Sequence, residues 1–312
     1  MAQSKIAIIR SATIAVAALT CIITFSKSDV GTANAVPAHR SFQNAHQAAA
    51  HQAATRIDIA GRQQMLSQRM AKATCLIATG IDSHSYKVQL RDAYRLFKTS
   101  ETALRHGDAA LQLGPEMNPE VLVSLLRTDS SWADYETHVE DALARRRVSL
   151  TEIVAMDQDG QRYLTVAGEA TEEIAVSYGT AAPQAIPNLI VSAAGQQRTL
   201  SQKIIKDICL MRHVETPQLY ATQVRIAAKM FDRTLATVQM GHPRLGISAA
   251  ESPDITEQFQ HIDALWALMK EVIVGTSPEA RLSDKELSDL SLKAEEMLEM
   301  LDHLVALIQH QS

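Results

Sequence analysis

Two short segments carry side chains at a spacing that could hold a ligand. Ala60-Gly61-Arg62-Gln63-Gln64-Met65-Leu66-Ser67-Gln68-Arg69 and Ala194-Gly195-Gln196-Gln197-Arg198-Thr199-Leu200-Ser201-Gln202-Lys203 share the pattern A-G-x-Q-x-x-L-S-Q. Each combines a glycine, which admits a helix or ligand close to the backbone, with amide, hydroxyl and guanidinium groups that form hydrogen bonds. At about 100° per residue, a helix splits the segment into stripes. Gln63, Leu66, Met70 and Ile77, with Gln197, Leu200, Ile204 and Met211, form a core-facing stripe that opens on glutamine. Arg62, Met65, Arg69 and Lys72, with Gln196, Thr199, Lys203 and Lys206, form a basic stripe expected to face water. Gln64, Ser67, Gln68, Ala71 and Cys75, with Arg198, Ser201, Gln202, Ile205 and Cys209, form a third stripe beside the core.

An arginine beside serine and glutamine on a half-buried stripe offers planar, paired donors to a carboxylate, nitrate or similar anion. The candidate ligand-binding residues are therefore Gly61, Arg62, Gln64, Ser67, Gln68, Gly195, Arg198, Ser201 and Gln202. Two other readings compete. Glycine, serine and glutamine also suit tight helix packing, and Arg198 could meet an acidic residue of a neighbouring helix. Other chemistry is thin. There is no phosphate-binding glycine loop, H-E-x-x-H, G-x-S-x-G or C-x-x-C. His39, His46 and His51 could place two ligands on one helix face, but such a run more often marks a solvated face. No catalytic residues, cofactor or metal are expected.

The segments belong to a longer repeat at an offset of 134 residues without a gap. The register pairs Lys72 with Lys206, Cys75 with Cys209, Tyr86 with Tyr220, Phe97 with Phe231, Gly107 with Gly241 and Trp132 with Trp266. Chance does not hold one register over roughly 70 residues. The composition suits helices: aromatic residues make up 4% of the chain, and 12 glycines and 9 prolines leave few turn signals for a β fold. Helices are predicted at 40–79, 84–106, 118–146, 149–178, 188–213, 217–240, 254–275 and 283–310. Four helices with short connections, repeated once, predict an all-α chain of two tandem four-helix bundles.

The N-terminus reads as an address. Lys5 and Arg10 precede an apolar run from Ala12 to Phe25, which is short of the ~20 residues of a membrane span. Ala33-x-Ala35 follows, the small-residue pattern of a cleavage site. Residues 1–35 are expected to be a signal peptide, with an uncleaved anchor as the alternative. The remaining modules are 36–181 and 182–312, periplasmic or secreted. A formal net charge of −5 argues against a nucleic-acid partner. In an oxidising compartment Cys75 and Cys209 form a disulfide if their helices face each other; otherwise they are small buried apolar residues.

The stretch Ile59-Ala60-Gly61-Arg62-Gln63-Gln64-Met65-Leu66-Ser67-Gln68-Arg69-Met70 resembles the N-terminal sensor domain of type IV pili methyl-accepting chemotaxis transducers, the PilJ-type domain. The likeness covers nearly all of the chain after residue 35, as two copies, and extends to Phe97, Gly107 and Trp132 with Phe231, Gly241 and Trp266. That family is related to the periplasmic domain of nitrate/nitrite sensor kinases, in which an arginine three residues after the glycine meets its symmetry mate around the anion. The resemblance implies a sensor of a small anionic ligand. Here the equivalent position is Arg198 in the second copy but Gln64 in the first, while the position one after the glycine is Arg62 in the first copy but Gln196 in the second. A facing arginine pair is therefore absent within one chain, which leaves a single-arginine site or a homodimer that pairs Arg198 with its mate. The family's receptors continue into a second membrane span and a signalling domain. This sequence stops at Ser312, so the signal is expected to pass to a separate membrane-bound signalling protein or a pilus or chemosensory component. The alternative is a structural helical module of such an assembly with no small ligand.

Overall fold

The computed structural model describes residues 36–145, 147–179, 185–241 and 252–311. The expected signal peptide, the side chains of His39 and His46, and the expected module boundary at 182 lie outside the described residues. The chain divides into residues 1–42 and a compact unit of residues 43–312, and the contacts below are those of the second.

Eight α-helices make up the described fold: α1 (Val36–Thr79), α2 (Ser83–His106), α3 (Pro119–Ala144), α4 (Leu150–Gly179), α5 (Ala185–Met211), α6 (Pro217–Met240), α7 (Pro253–Gly275) and α8 (Asp284–Gln311). This is the predicted all-α architecture, four helices twice over. Among the described residues no helix is long and apolar enough to cross a membrane.

Local chemistry sets the helix ends. Asn118 caps α3 by accepting a hydrogen bond from the Glu120 amide at 2.9 Å, with Pro119 in the first turn, where its missing N–H costs nothing. Before α4, Ser149 and Glu152 form a reciprocal capping box: the Ser149 amide donates to the Glu152 carboxylate at 2.6 Å, and the Glu152 amide donates to Ser149 Oγ at 3.2 Å. Ser283 and Glu286 repeat that box before α8, at 2.8 and 3.3 Å. The box recurs at the repeat offset and is a start signal that the periodicity alone does not reveal. α2 ends at Gly107, where φ is +79° and an added Cβ would lie 2.4 Å from the Leu113 carbonyl oxygen.

Each half has the same aromatic centre. Trp132 stacks on Phe97 with ring centroids 3.7 Å apart, and Trp266 stacks on Phe231 at 4.0 Å. All four rings are buried. Gly160 does not break α4; it makes room for the Tyr135 ring, whose Cε2 lies 2.9 Å from where a Cβ would stand.

The halves meet along α1 and α5. A disulfide joins Cys75 to Cys209 with Cα atoms 6.3 Å apart. The two cysteines are equivalent positions of the repeat, so their bond lies on the axis that relates the two copies. Other contacts cross reciprocally. Lys72 of α1 pairs with Glu295 of α8, and Lys206 of α5 pairs with Asp157 of α4.

Candidate functional site

The shared pattern holds the same bonds in both copies. Gln63 Nε2 donates to the Phe97 carbonyl at 3.1 Å, and Gln197 Nε2 donates to the Phe231 carbonyl at 3.0 Å. Ser67 and Ser201 donate back to the carbonyls of Gln64 and Arg198 at 2.7 and 2.8 Å. Gln202 Nε2 reaches the Ala294 carbonyl at 3.1 Å. Ser67, Gln68, Ser201 and Gln202 are wholly buried; the first three bond within their own helix, and Gln202 ties α5 to α8. These four candidate ligand residues are engaged in helix packing. The expected core stripe is buried as predicted.

The stripe expected to face water does not. Lys72, Lys206, Met65 and Thr199 are buried, Arg62, Arg69 and Lys203 are partly exposed, and only Gln196 is exposed as expected. The cause is the second copy. Packing α1 against α5 covers a face that one isolated bundle would leave wet, and carboxylates on α4, α5 and α8 meet the lysines there. Burial pushes the Lys72 ammonium down to about 8, although Glu295 draws it back. For Lys206 burial acts the same way, but Asp207 and Asp157 outweigh it and hold the ammonium above its ordinary value.

Arg198 is likewise engaged. Its side chain is 1% exposed and forms ion pairs with Asp58 of α1 and, at 2.7 Å, with Asp302 of α8. Burial opposes the charge on Asp58, yet Arg198 and Arg62 hold its carboxyl below the usual range. The fork expected to grip an external anion thus grips two internal carboxylates through its Nη atoms, because a guanidinium this deep needs countercharge. Its Nε–H remains buried without a hydrogen-bond partner among the described residues, and so does that of Arg69.

Two clefts flank the α1–α5 contact, and the repeat relates them. One, of about 340 Å³, is lined by Asp58, Arg62, Arg69, Arg198 and Asp302. The other, of about 320 Å³, is lined by Gly61, Gln64, Gly168, Thr171, Ser192 and Gly195, among others. Moving Asp58, Arg198 and Asp302 by the repeat offset gives Ser192, Gln64 and Gly168. The same backbone cleft is therefore built twice, once around buried ions and once with mostly small neutral groups, where the one charged lining residue is the exposed Glu172. In the neutral cleft Gln64 Nε2 donates to Thr171 Oγ1 at 2.8 Å, and nothing lies within 4 Å of where a Gly61 Cβ would stand. At Gly195 the corresponding space holds Arg198 Nη2, 3.3 Å away.

The model of the family "Type IV pili methyl-accepting chemotaxis transducer N-term", PilJ, matches residues 47–155 and again residues 188–290. The chain belongs to this family. No curated protein matches it. The two PilJ matches fall on the two halves that the disulfide joins, and each contains one A-G-x-Q-x-x-L-S-Q helix. Membership marks the chain as a sensor module of the chemotaxis-transducer kind. Of the candidate residues, the PilJ fold brings Arg62 and Arg198 to one cleft and Gly61, Gln64 and Gly195 to its twin. The acidic partners Asp58, Asp157, Glu295 and Asp302 went unrecognised in the sequence. Surface carboxylates are common on helices; the packing of α4 and α8 across the other copy's long helix selects Asp157, Glu295 and Asp302, and that of α1 against α5 selects Asp58.

Proposed function

We propose that this chain is an exported sensor module of two PilJ-type units, 36–181 and 182–312, which binds a small anion in the charged cleft and reports to a separate membrane-bound partner. The observation that carries this reading is the pair of buried, unbonded Nε–H groups on Arg69 and Arg198, two residues that line one cleft. An unbonded buried donor on a charged group costs stability, and an anion would satisfy it. Three arginines line this cleft against two aspartates. Asp302 is 51% exposed on its side chain, so it can swing out and leave Arg198 to an incoming carboxylate, nitrate or nitrite.

A second reading rests on the twin cleft. Its open space at Gly61 and its amide and hydroxyl lining suit an uncharged polar molecule. Thermal unfolding with nitrate, nitrite, acetate, glycerol and glycine separates the two. Ligand at 100 times its dissociation constant adds about 2.7 kcal/mol. Stabilisation by an anion that is lost in Arg69→Gln and Arg62→Gln supports the charged cleft. Stabilisation by glycerol or glycine that is lost in Gly61→Leu supports the neutral one. No shift with any of the five leaves the helical interaction module, with no small ligand, as the better account.

A further inference from the structure

We infer that Cys75, Cys209 and His213 form a redox-gated site for a soft or borderline d¹⁰ cation such as zinc, closed while the cysteines are joined and open once they are reduced. The two sulfurs and a ring nitrogen of His213 all lie within 4.8 Å of one another. Two thiolates and an imidazole are a zinc donor set, with water free to take the fourth place. His213 Nε2 is buried and has no hydrogen-bond partner among the described residues. An imidazole usually finds a partner when a ring nitrogen is this enclosed. A metal would supply one.

The fold places the three donors without large movement. Cys75 lies about one turn from the end of α1 at Thr79, and Cys209 lies just before the end of α5 at Met211. Both helices therefore direct their carbonyl ends, the negative end of the helix dipole, toward this region, which favours a cation. The His213 amide donates to the Leu210 carbonyl at 2.9 Å, so the turn after α5 fixes the position of the imidazole. Burial holds the His213 imidazole below its ordinary value, and Arg212 and Arg281 act the same way against Asp284. Two thiolates supply the negative charge that offsets the two arginines.

The chemistry balances with one named co-reactant. A dithiol reductant gives two electrons and two protons to the Cys75–Cys209 bond and is left as its own disulfide. The S–S bond breaks and two thiols form. On metal binding both thiols release their protons to solvent, and the neutral imidazole gives a lone pair. The sulfurs then part to the roughly 3.7 Å that two thiolates keep across a tetrahedral zinc with Zn–S near 2.3 Å. The half-buried turn at His213 is the way in.

The test uses the whole chain carrying Cys21→Ser, so that Cys75 and Cys209 supply the thiols, and Cd²⁺ as the probe, read by its ultraviolet thiolate-to-metal charge-transfer band. The chain is reduced with a phosphine, desalted without oxygen and titrated, with far-ultraviolet circular dichroism recorded beside it. One Cd²⁺ per reduced chain, none per oxidised chain, and affinity at least about tenfold weaker in His213→Ala would support the site. Recovery of tight binding in His213→Cys would support it further. Three results would overturn it: no charge-transfer band in a reduced chain that keeps its helices, equal affinity in His213→Ala, or loss of helical signal on reduction before metal is added.

Discussion

Lys72 and Lys206 hold the same place in the two repeats, and each reaches past its own bundle to the last helix of the other. The pairs are reciprocal but not equal. Lys72 shares Glu295 with Arg69, whereas Lys206 has both Asp157 and Asp207, the latter at 3.1 Å. One carboxylate shared between two cations cannot offset the burial of Lys72, and two carboxylates more than offset that of Lys206.

The two lysines should therefore titrate apart. Nuclear magnetic resonance of side-chain-labelled lysine should find one group near pH 8 and another above the ordinary value of 10.5. Between about pH 8 and 10.5 the unfolded chain holds a proton that folded Lys72 has lost, so this group makes the fold more stable as pH rises. The carboxyls of Asp58, Asp157 and Glu295 act in the same direction in a lower window, because each is held below its ordinary 3.8 or 4.5. Their contribution is full above those ordinary values and is lost as pH falls through the folded ones. Urea midpoints measured across both windows should rise with pH in each.

Arg198 and Gln64 are repeat mates with unequal stakes. Arg198→Ala leaves Asp58 buried with only half-exposed Arg62 to face it, so it should cost about 3–5 kcal/mol. Gln64→Ala removes one neutral hydrogen bond to Thr171 and should cost about 1 kcal/mol. Equal losses in denaturant titrations would refute the assignment of the two clefts.

Three helical glycines should respond with different signs. Gly61→Ala meets open space and restricts the unfolded chain, so it should stabilise by about 0.5–1 kcal/mol. Gly160→Ala pushes a methyl group into the Tyr135 ring and should destabilise by about 1–3 kcal/mol. Gly195→Ala crowds Arg198 Nη2 at 3.3 Å and should fall between them. Melting temperatures of the three variants give the order directly.

Thiol counting checks the link between the halves. The unfolded, unreduced chain should show no reactive thiol beyond that of Cys21, and reduction should add two. Opening a loop of 134 residues should cost about 5 kcal/mol in the chain-entropy account. Cys75→Ser should reproduce that loss in a urea titration.

The sequence by itself determined the helices and their duplication. Helix ends depend on local groups such as Asn118, Gly107 and the Ser149–Glu152 box, and burial of one apolar stripe leaves a period that can be read without coordinates. The equivalence of Trp132 and Trp266 was legible for the same reason, since a fixed register carries like residues to like places. Tertiary structure decided what the polar residues do. Lys72 and Lys206 read as solvent-facing because periodicity in one helix knows only that helix's own core. The burial of each arises from the other copy, whose acidic partners lie 223 and 49 residues away in the chain respectively. Arg198 was singled out by its spacing from Gly195, yet whether its charge was open or spent depended on Asp58 and Asp302, 140 and 104 residues distant. Charge compensation in a low-dielectric interior is set by which helices touch, and that is a property of the packing rather than of any one stretch of sequence.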